Sequence, residues 1–253
     1  MIDTLVVCGK WPFRPLKFDW FELVEKMDEN DVERAMVVNV NGAFYRDVHE
    51  ANLELMEEMD GLPSGIRERF IIMGIVNPIY PGWEEDLKFL VESNVRIIAI
   101  FPNYHGYSLS DPKLSEFWEK VVELDLPLSL IAKFEDSRQR HRLDADEVED
   151  NEVINLIRSH RNLKLILHNF HYLSALSIHL SNPDHEYLFF DVNFFYDVPI
   201  GDPMKFLEIA GEDRIVFSSF YPFRYYKVGV MKLEEANLLR SKNFERKLRE
   251  VLR

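Results

Sequence analysis

Short apolar runs recur along this chain, and the stretches between them repeat their apolar positions every three to four residues. The runs fall at residues 4–7, 35–40, 70–75, 96–101, 126–131, 163–167, 187–190 and 214–217. Most are apolar at consecutive positions, which is the pattern of parallel strands covered on both faces. The intervening stretches predict helices. Phe18, Phe21, Leu23 and Val24 mark one over 18–27, and 51–59 keeps the same period. Another, over 83–92, opens after Pro81 and Gly82 and sets Leu87, Leu90 and Val91 on one face. Asp111-Pro112 and Asp202-Pro203 each place a capping carboxylate before a proline suited to a first helical turn, predicting helices over 114–124 and 204–210. Helices are also expected over 147–159, 172–180 and 230–251, the last broken near Ser241. Eight strand-then-helix units in 253 residues predict an α/β fold, one closed (β/α)8 TIM barrel forming a single domain over 1–253. A doubly wound open sheet would ordinarily carry a glycine-rich phosphate turn after its first strand. The turn here, Cys8-Gly9-Lys10-Trp11-Pro12, has one glycine.

Charge narrows the range of partners. With 44 acidic and 30 basic residues the net charge is −14, a field that opposes nucleic acid and anionic membranes. The densest basic run, 138–142, is flanked by Glu135, Asp136, Asp144 and Asp146 and reads as a solvated loop. The apolar runs are too short to span a bilayer, and the opening residues read as a first strand because no basic segment precedes their apolar stretch. One cysteine, Cys8, rules out an intramolecular disulfide and fits a reducing cytoplasm, where it is expected as a packed core thiol.

Four segments carry a resemblance to a known family. They are the opening IDTLVVCGKWPFR; ANLELMEEM followed by RFIIMGIVNPIYPGWEEDLKFLVESNVRIIAIFPNYHGYSLSDP; LDLPLSL followed by NLKLILHNF; and GEDRIVFSSFYPF. In order and spacing, from Ile2 to about Phe223, they resemble the amidohydrolase-related family of metal-dependent TIM-barrel hydrolases and decarboxylases. That resemblance implies a divalent metal such as zinc at the C-terminal mouth. Its ligands would be two histidines on strand one, one each on strands five and six, and an aspartate on strand eight. Carried onto this sequence, the strand-one pair falls on Leu5 and Val7, the strand-five histidine on Ile131 and the strand-eight aspartate on Phe220. Only the strand-six histidine is present, as His168. Apolar side chains cannot ligate a metal, so neither metal nor other cofactor is expected, and the mouth is expected to be refilled with core side chains.

Several polar residues are candidates for chemistry there. His168 ends a strand at the functional face, either as an acid–base group or as a relic satisfied by a neighbour. His171, three residues on, reads as a helix-start surface residue. Asp191 closes strand seven, where a buried acid would be a candidate base and a cap or salt bridge to Lys133 or Arg224 is the plainer account. Lys133 shares the face of Ile131 and, if desolvated, could act as a base or form a Schiff base; a lysine there is expected to snorkel outward instead. Asp136 and Arg138 lie in a stretch that resembles the substrate side of some family members and also suit a local salt bridge. Asn103 and His105 follow strand four as ligand contacts or turn formers, and Arg14 suits either a carboxylate or a tie from the first loop to the rim.

Three functional classes follow. The first is a barrel without metal-dependent hydrolysis that binds a small molecule or a protein. The second is an active hydrolase or decarboxylase rebuilt around His168, Asp191 and Lys133. The third is an interaction subunit of a homo-oligomer, with Phe194-Phe195-Tyr196 and Tyr225-Tyr226 as contact residues; the plainer account packs these rings into loop clusters.

Overall fold

The computed structural model describes residues 1–195, 201–241 and 243–253, with the side chain of Arg240 left out. Eight parallel strands run in sequence order: β1 (Ile2–Cys8), β2 (Arg34–Asn39), β3 (Phe70–Ile75), β4 (Ile97–Ile100), β5 (Pro127–Ile131), β6 (Lys164–His168), β7 (Leu188–Asp191) and β8 (Ile215–Val216). The expected boundaries shift by one or two residues. A helix follows each strand: α1 (Trp20–Glu29), α2 (Val48–Asp60), α3 (Trp83–Glu92), α4 (Ser115–Glu123), α5 (Asp150–Ser159), α6 (Tyr172–Ser181), α7 (Pro203–Ala210) and α8 (Tyr226–Glu235). The long helix expected over 230–251 is two: α8, and a separate α9 (Arg246–Val251). No helix among the described residues is long and apolar enough to cross a membrane.

Side chains alternate across the strands into two apolar layers. Val6, Val37, Ile98, Leu128, Leu165 and Ile215 face the helices. Leu5, Val7, Met36, Val38, Met73, Ile97, Ile131, Ile166, Phe189 and Val216 fill the lumen. Consecutive apolar residues are therefore buried on both faces, which explains the unbroken runs. At Gly74 the helix layer comes close: a Cβ there would sit 2.5 Å from Leu90 Cδ2. At the floor, α9 sets Leu248 into the lumen cluster, and Glu245 Oε1 accepts a hydrogen bond from Ile2 N at 2.7 Å.

The barrel closes where β1 meets the segment following β8. Thr4 N donates to the Phe217 carbonyl at 2.8 Å, Phe220 N to Leu5 O at 3.0 Å, and Val7 N to Tyr221 O at 2.8 Å. Asp3 pins this seam. It is fully buried, and its Oδ1 accepts from Ser219 N at 2.9 Å and Leu5 N at 3.3 Å. Burial pushes its pKa up to about 7, against the pull of hydrogen bonds from Ser219, Leu5 and Tyr226.

This predicts a pH dependence of stability. An unfolded Asp3 titrates near 3.8 and the folded one near 7, so between those values the folded state holds the extra proton. Stability from this group is full below about pH 4 and is lost as pH rises through about 7. Asp3→Asn keeps the acceptor and removes the charge. Urea unfolding at pH 5 and pH 8 should show the variant gaining on the parent at the higher pH, by at most about 3 kcal/mol. Equal differences at both pH values would mean that Asp3 is not a buried carboxyl.

Candidate functional site at the mouth of the barrel

The C-terminal ends of the strands are capped by aromatic rings. Trp11, in the loop after β1, meets five of them: Phe13, Phe44, Tyr104, Phe134 and Phe223, with centroids 5.0–6.3 Å apart and most pairs edge-on. Below it Phe220 stacks on Phe223 at 4.8 Å and lies 6.3 Å from both Phe134 and Phe194. Phe220 is 1% exposed and shares the lumen cluster with Leu5, Val7 and Ile131, so these four side chains converge. Ile131 and His168 are register partners on β5 and β6, which brings His168 to the same level.

Phe220 has φ of 53°, the left-handed region that short polar residues enter readily and bulky ones rarely. That conformation costs an aromatic residue of order 1 kcal/mol and persists where packing over-determines it. The rings around Phe220 supply that packing.

The polar candidates separate into three groups. His168 and Asp191 meet: both are buried, and His168 Nδ1 donates to Asp191 Oδ2 at 3.0 Å. Against a carboxylate acceptor, Nδ1 is the nitrogen that carries hydrogen. Asp191 also accepts from Asn169 N at 3.3 Å and from Asn193 N at 3.2 Å, and Asn169 Nδ2 donates to the Lys133 carbonyl at 2.8 Å. His168 Nε2 is buried, with no hydrogen-bond partner among the described residues. Neither of the salt bridges expected for Asp191 is what holds it in these contacts.

Lys133 corrects the expectation of an outward, solvated side chain. It is 1% exposed, its Nζ lies 2.8 Å from Glu147 Oε1, and it sits 4.7 Å above the Phe194 ring. A desolvated ammonium needs such a counter-charge. Burial alone would raise the Glu147 carboxyl, but hydrogen bonds from His171 and Lys133, together with the Lys133 charge, bring it down to about 2. His171 Nε2 lies 3.8 Å from Glu147, so it joins this cluster rather than facing solvent. Glu147 was missed as a candidate. It stands in an acid-rich stretch with Asp144, Asp146, Glu149 and Asp150, and no sequence spacing singles it out or links it to Lys133.

The third group forms the rim. Arg14 Nε donates to Glu135 Oε1 at 2.6 Å and its Nη2 to the Phe223 carbonyl at 3.1 Å, tying the first loop across the mouth. Arg138 makes two 2.8 Å contacts with Asp136, one to each carboxylate oxygen, and these hold Asp136 well below the usual carboxylate range. Arg224 lies 4.1 Å from the Phe194 ring centroid. Arg14, Asp136, Arg138 and Arg224 border a cavity of about 300 Å³ floored by Phe134, Phe220 and Phe223. Asn103 and His105 are not among its lining residues: Asn103 Nδ2 donates to Asp146 O, and His105 Nε2 to Gly42 O at 2.9 Å. Of the aromatic residues weighed as contact residues or as packed loop clusters, Phe194 is buried in the lumen cluster at the mouth, and Phe195 and Tyr226 are buried between strands and helices. Tyr225 is 87% exposed, and Tyr196 lies outside the described residues. Among the described residues no three or more His, Cys, Asp or Glu side chains are grouped to hold a metal ion.

No family model matches the chain, and no curated protein does. Solved structures match its fold. An uncharacterised TIM-barrel protein from Bordetella bronchiseptica superposes with a TM-score of 0.67 at 13% identity, covering 91% of this chain and 83% of that one. An amidohydrolase from Mycobacterium avium subsp. paratuberculosis matches with a TM-score of 0.60 at 16% identity, over 87% and 69%. A 5-carboxyvanillate decarboxylase from Novosphingobium aromaticivorans, complexed with manganese and 4-hydroxy-3-methoxy-5-nitrobenzoic acid, matches with a TM-score of 0.61 at 18% identity, over 88% and 76%. At these identities the likeness is one of fold: the chain is a (β/α)8 barrel built like those of these structures.

The packing at the mouth makes a stability prediction. Phe220→Asp puts a carboxylate among rings that offer it no donor, although the left-handed backbone at 220 suits the shorter residue. The variant should lose about 3–5 kcal/mol at neutral pH without added metal, measured by urea unfolding. A midpoint equal to the parent's would mean that Phe220 does not plug the mouth.

Proposed function

We propose that this amidohydrolase-like barrel does not carry out metal-dependent hydrolysis and instead holds a small anion with a flat apolar body at its mouth. The observation that carries this reading is the convergence of Leu5, Val7, Ile131 and Phe220 in one apolar cluster, at the positions where the family resemblance puts ligands. The residues do not fit a divalent metal. None of the four has a lone pair to donate, and His168, whose Nδ1 is engaged by Asp191, has one ring nitrogen left. A structural or catalytic site needs three or four donors.

The cavity above the plug supports the binding half. Its floor of Phe134, Phe220 and Phe223 suits a planar apolar body, and among the described lining residues Arg14, Arg138 and Arg224 outnumber Glu135 and Asp136. In a chain of net charge −14 that local excess of cation favours an anionic ligand. Trp11 stands 5.0 Å from Phe223 and reports on the floor.

A second reading rests on the His168–Asp191 pair, whose geometry is that of an oriented imidazole with its other nitrogen unsatisfied. With Lys133 it would make an acid–base site for a hydrolase or decarboxylase. His168 lines none of the mouth cavity, so substrate would have to enter by movement of the plug.

Elemental analysis after incubation with zinc or manganese and dialysis should find well under one metal per chain; about one per chain, lost in His168→Ala, would sink the first half. Titration with substituted benzoates, followed by tryptophan fluorescence, should give saturable binding that Arg224→Ala weakens by about 10-fold. Absence of saturable change across the benzoates would sink the second half. Turnover of any of them that His168→Ala abolishes would establish the second reading instead.

A further inference from the structure

We infer that the outer face of α6 is where a second copy of this chain docks. The helix reads YLSALSIHLS and has no Asp, Glu, Lys or Arg. Its inner side buries Tyr172, Ala175, Ile178 and His179 against the barrel. Its outer side presents Leu173 and Leu180, 60% and 57% exposed, with the half-buried Leu176 between them. These three leucines fall at i, i+3 and i+7, one continuous stripe flanked by Ser174 and Ser177. An apolar stripe of this kind ordinarily faces an interior, and here Leu173 and Leu180 face outward. The neighbouring α7 extends the patch with Met204 and Ile209, 44% and 40% exposed, and adds one charge of each sign, Lys205 and Glu208.

Charge decides what covers it. Each of the other barrel helices, α1 to α5, α7 and α8, carries two or more charged residues, and those of α1 to α4 are mostly acidic. A cationic partner would be drawn to those faces, since α6 offers it nothing to pair with. Two copies, each of net charge −14, repel wherever acidic faces meet. Contact through α6 adds no like charge to the interface. An apolar stripe is also its own complement, so a two-fold arrangement closes after two copies.

Sedimentation equilibrium on the full chain tests this. The expected mass is twice 30.0 kDa. Leu173→Glu/Leu180→Glu should weaken self-association by at least about 100-fold. Phe21→Glu, at a comparably exposed residue of α1, should leave it unchanged. Raising salt should tighten the dimer, because it screens the mutual repulsion and does not weaken apolar contact. Thermal unfolding checks that the variants fold. Leu173→Ser/Leu180→Ser, with the same direction of effect, serves if the glutamates impair folding. A parent at single-chain mass up to about 100 µM would overturn the proposal, because a dimer that weak has no useful affinity. So would a dimer that survives both double variants, or one that Phe21→Glu disrupts equally.

Discussion

The lumen of the barrel is filled, and most of what distinguishes this chain follows from that. From Leu248 at the floor, through Met36, Ile97, Ile166 and Phe189, to Phe220 and Trp11 at the top, one apolar cluster runs the length of the strands. Barrels that work on substrate at the C-terminal face keep polar groups there, supported by a packed layer beneath. Here the packed layer continues upward until rings close over it. Water and charge are held at the rim, and the chemistry available to the molecule is the chemistry of that rim and of the few polar groups trapped under the plug.

Those trapped groups are held in pairs, with His168 Nε2 left over. His168 leans on Asp191, Asp191 collects two backbone N–H groups, and Asn169 reaches the Lys133 carbonyl. Lys133 faces Glu147. Burying one member of either pair without the other would leave a charge or a carboxylate in an apolar surround. The outer mouth is organised in the same way: Glu54 accepts from the side chains of Asn39, Asn41 and Tyr45, and Asn41 Oδ1 accepts from Lys10 N at 2.8 Å, which ties the loop after β2 to the loop after β1. Ring packing and these polar contacts fix the mouth loops.

The strands and their order were legible because both layers of apolar contact are written as consecutive Val, Ile and Leu residues. The convergence of Leu5, Val7, Ile131 and Phe220 was legible because strand period and family spacing agree on where each falls. What eluded the sequence were contacts between distant segments. Nothing local says that Lys133 will find Glu147 across a loop, or that Arg14 will span 121 positions to Glu135. The fate of the aromatic pairs at 194–195 and 225–226 stays open in the sequence for a related reason. An aromatic residue in a loop after a strand can turn to solvent or under the loop, and only the packing of α6 and α7 decides for Phe195. Tyr225 and Tyr226, adjacent in sequence, take opposite fates at the start of α8 because successive helical positions point about 100° apart.

The backbone at residue 220 carries the argument one step further. Its left-handed conformation is held from both sides of the barrel seam: Phe220 N donates to Leu5 O, and the neighbouring Ser219 N is fixed by Asp3. The turn is therefore set by β1 and not by the side chain it carries. A phenylalanine occupies it against its own conformational preference, which it does only because Phe134, Phe194 and Phe223 supply a surface for the ring. The seam thus aims the residue at 220 into the top of the lumen, where the Phe220 ring closes the apolar cluster that it shares with Leu5, Val7 and Ile131.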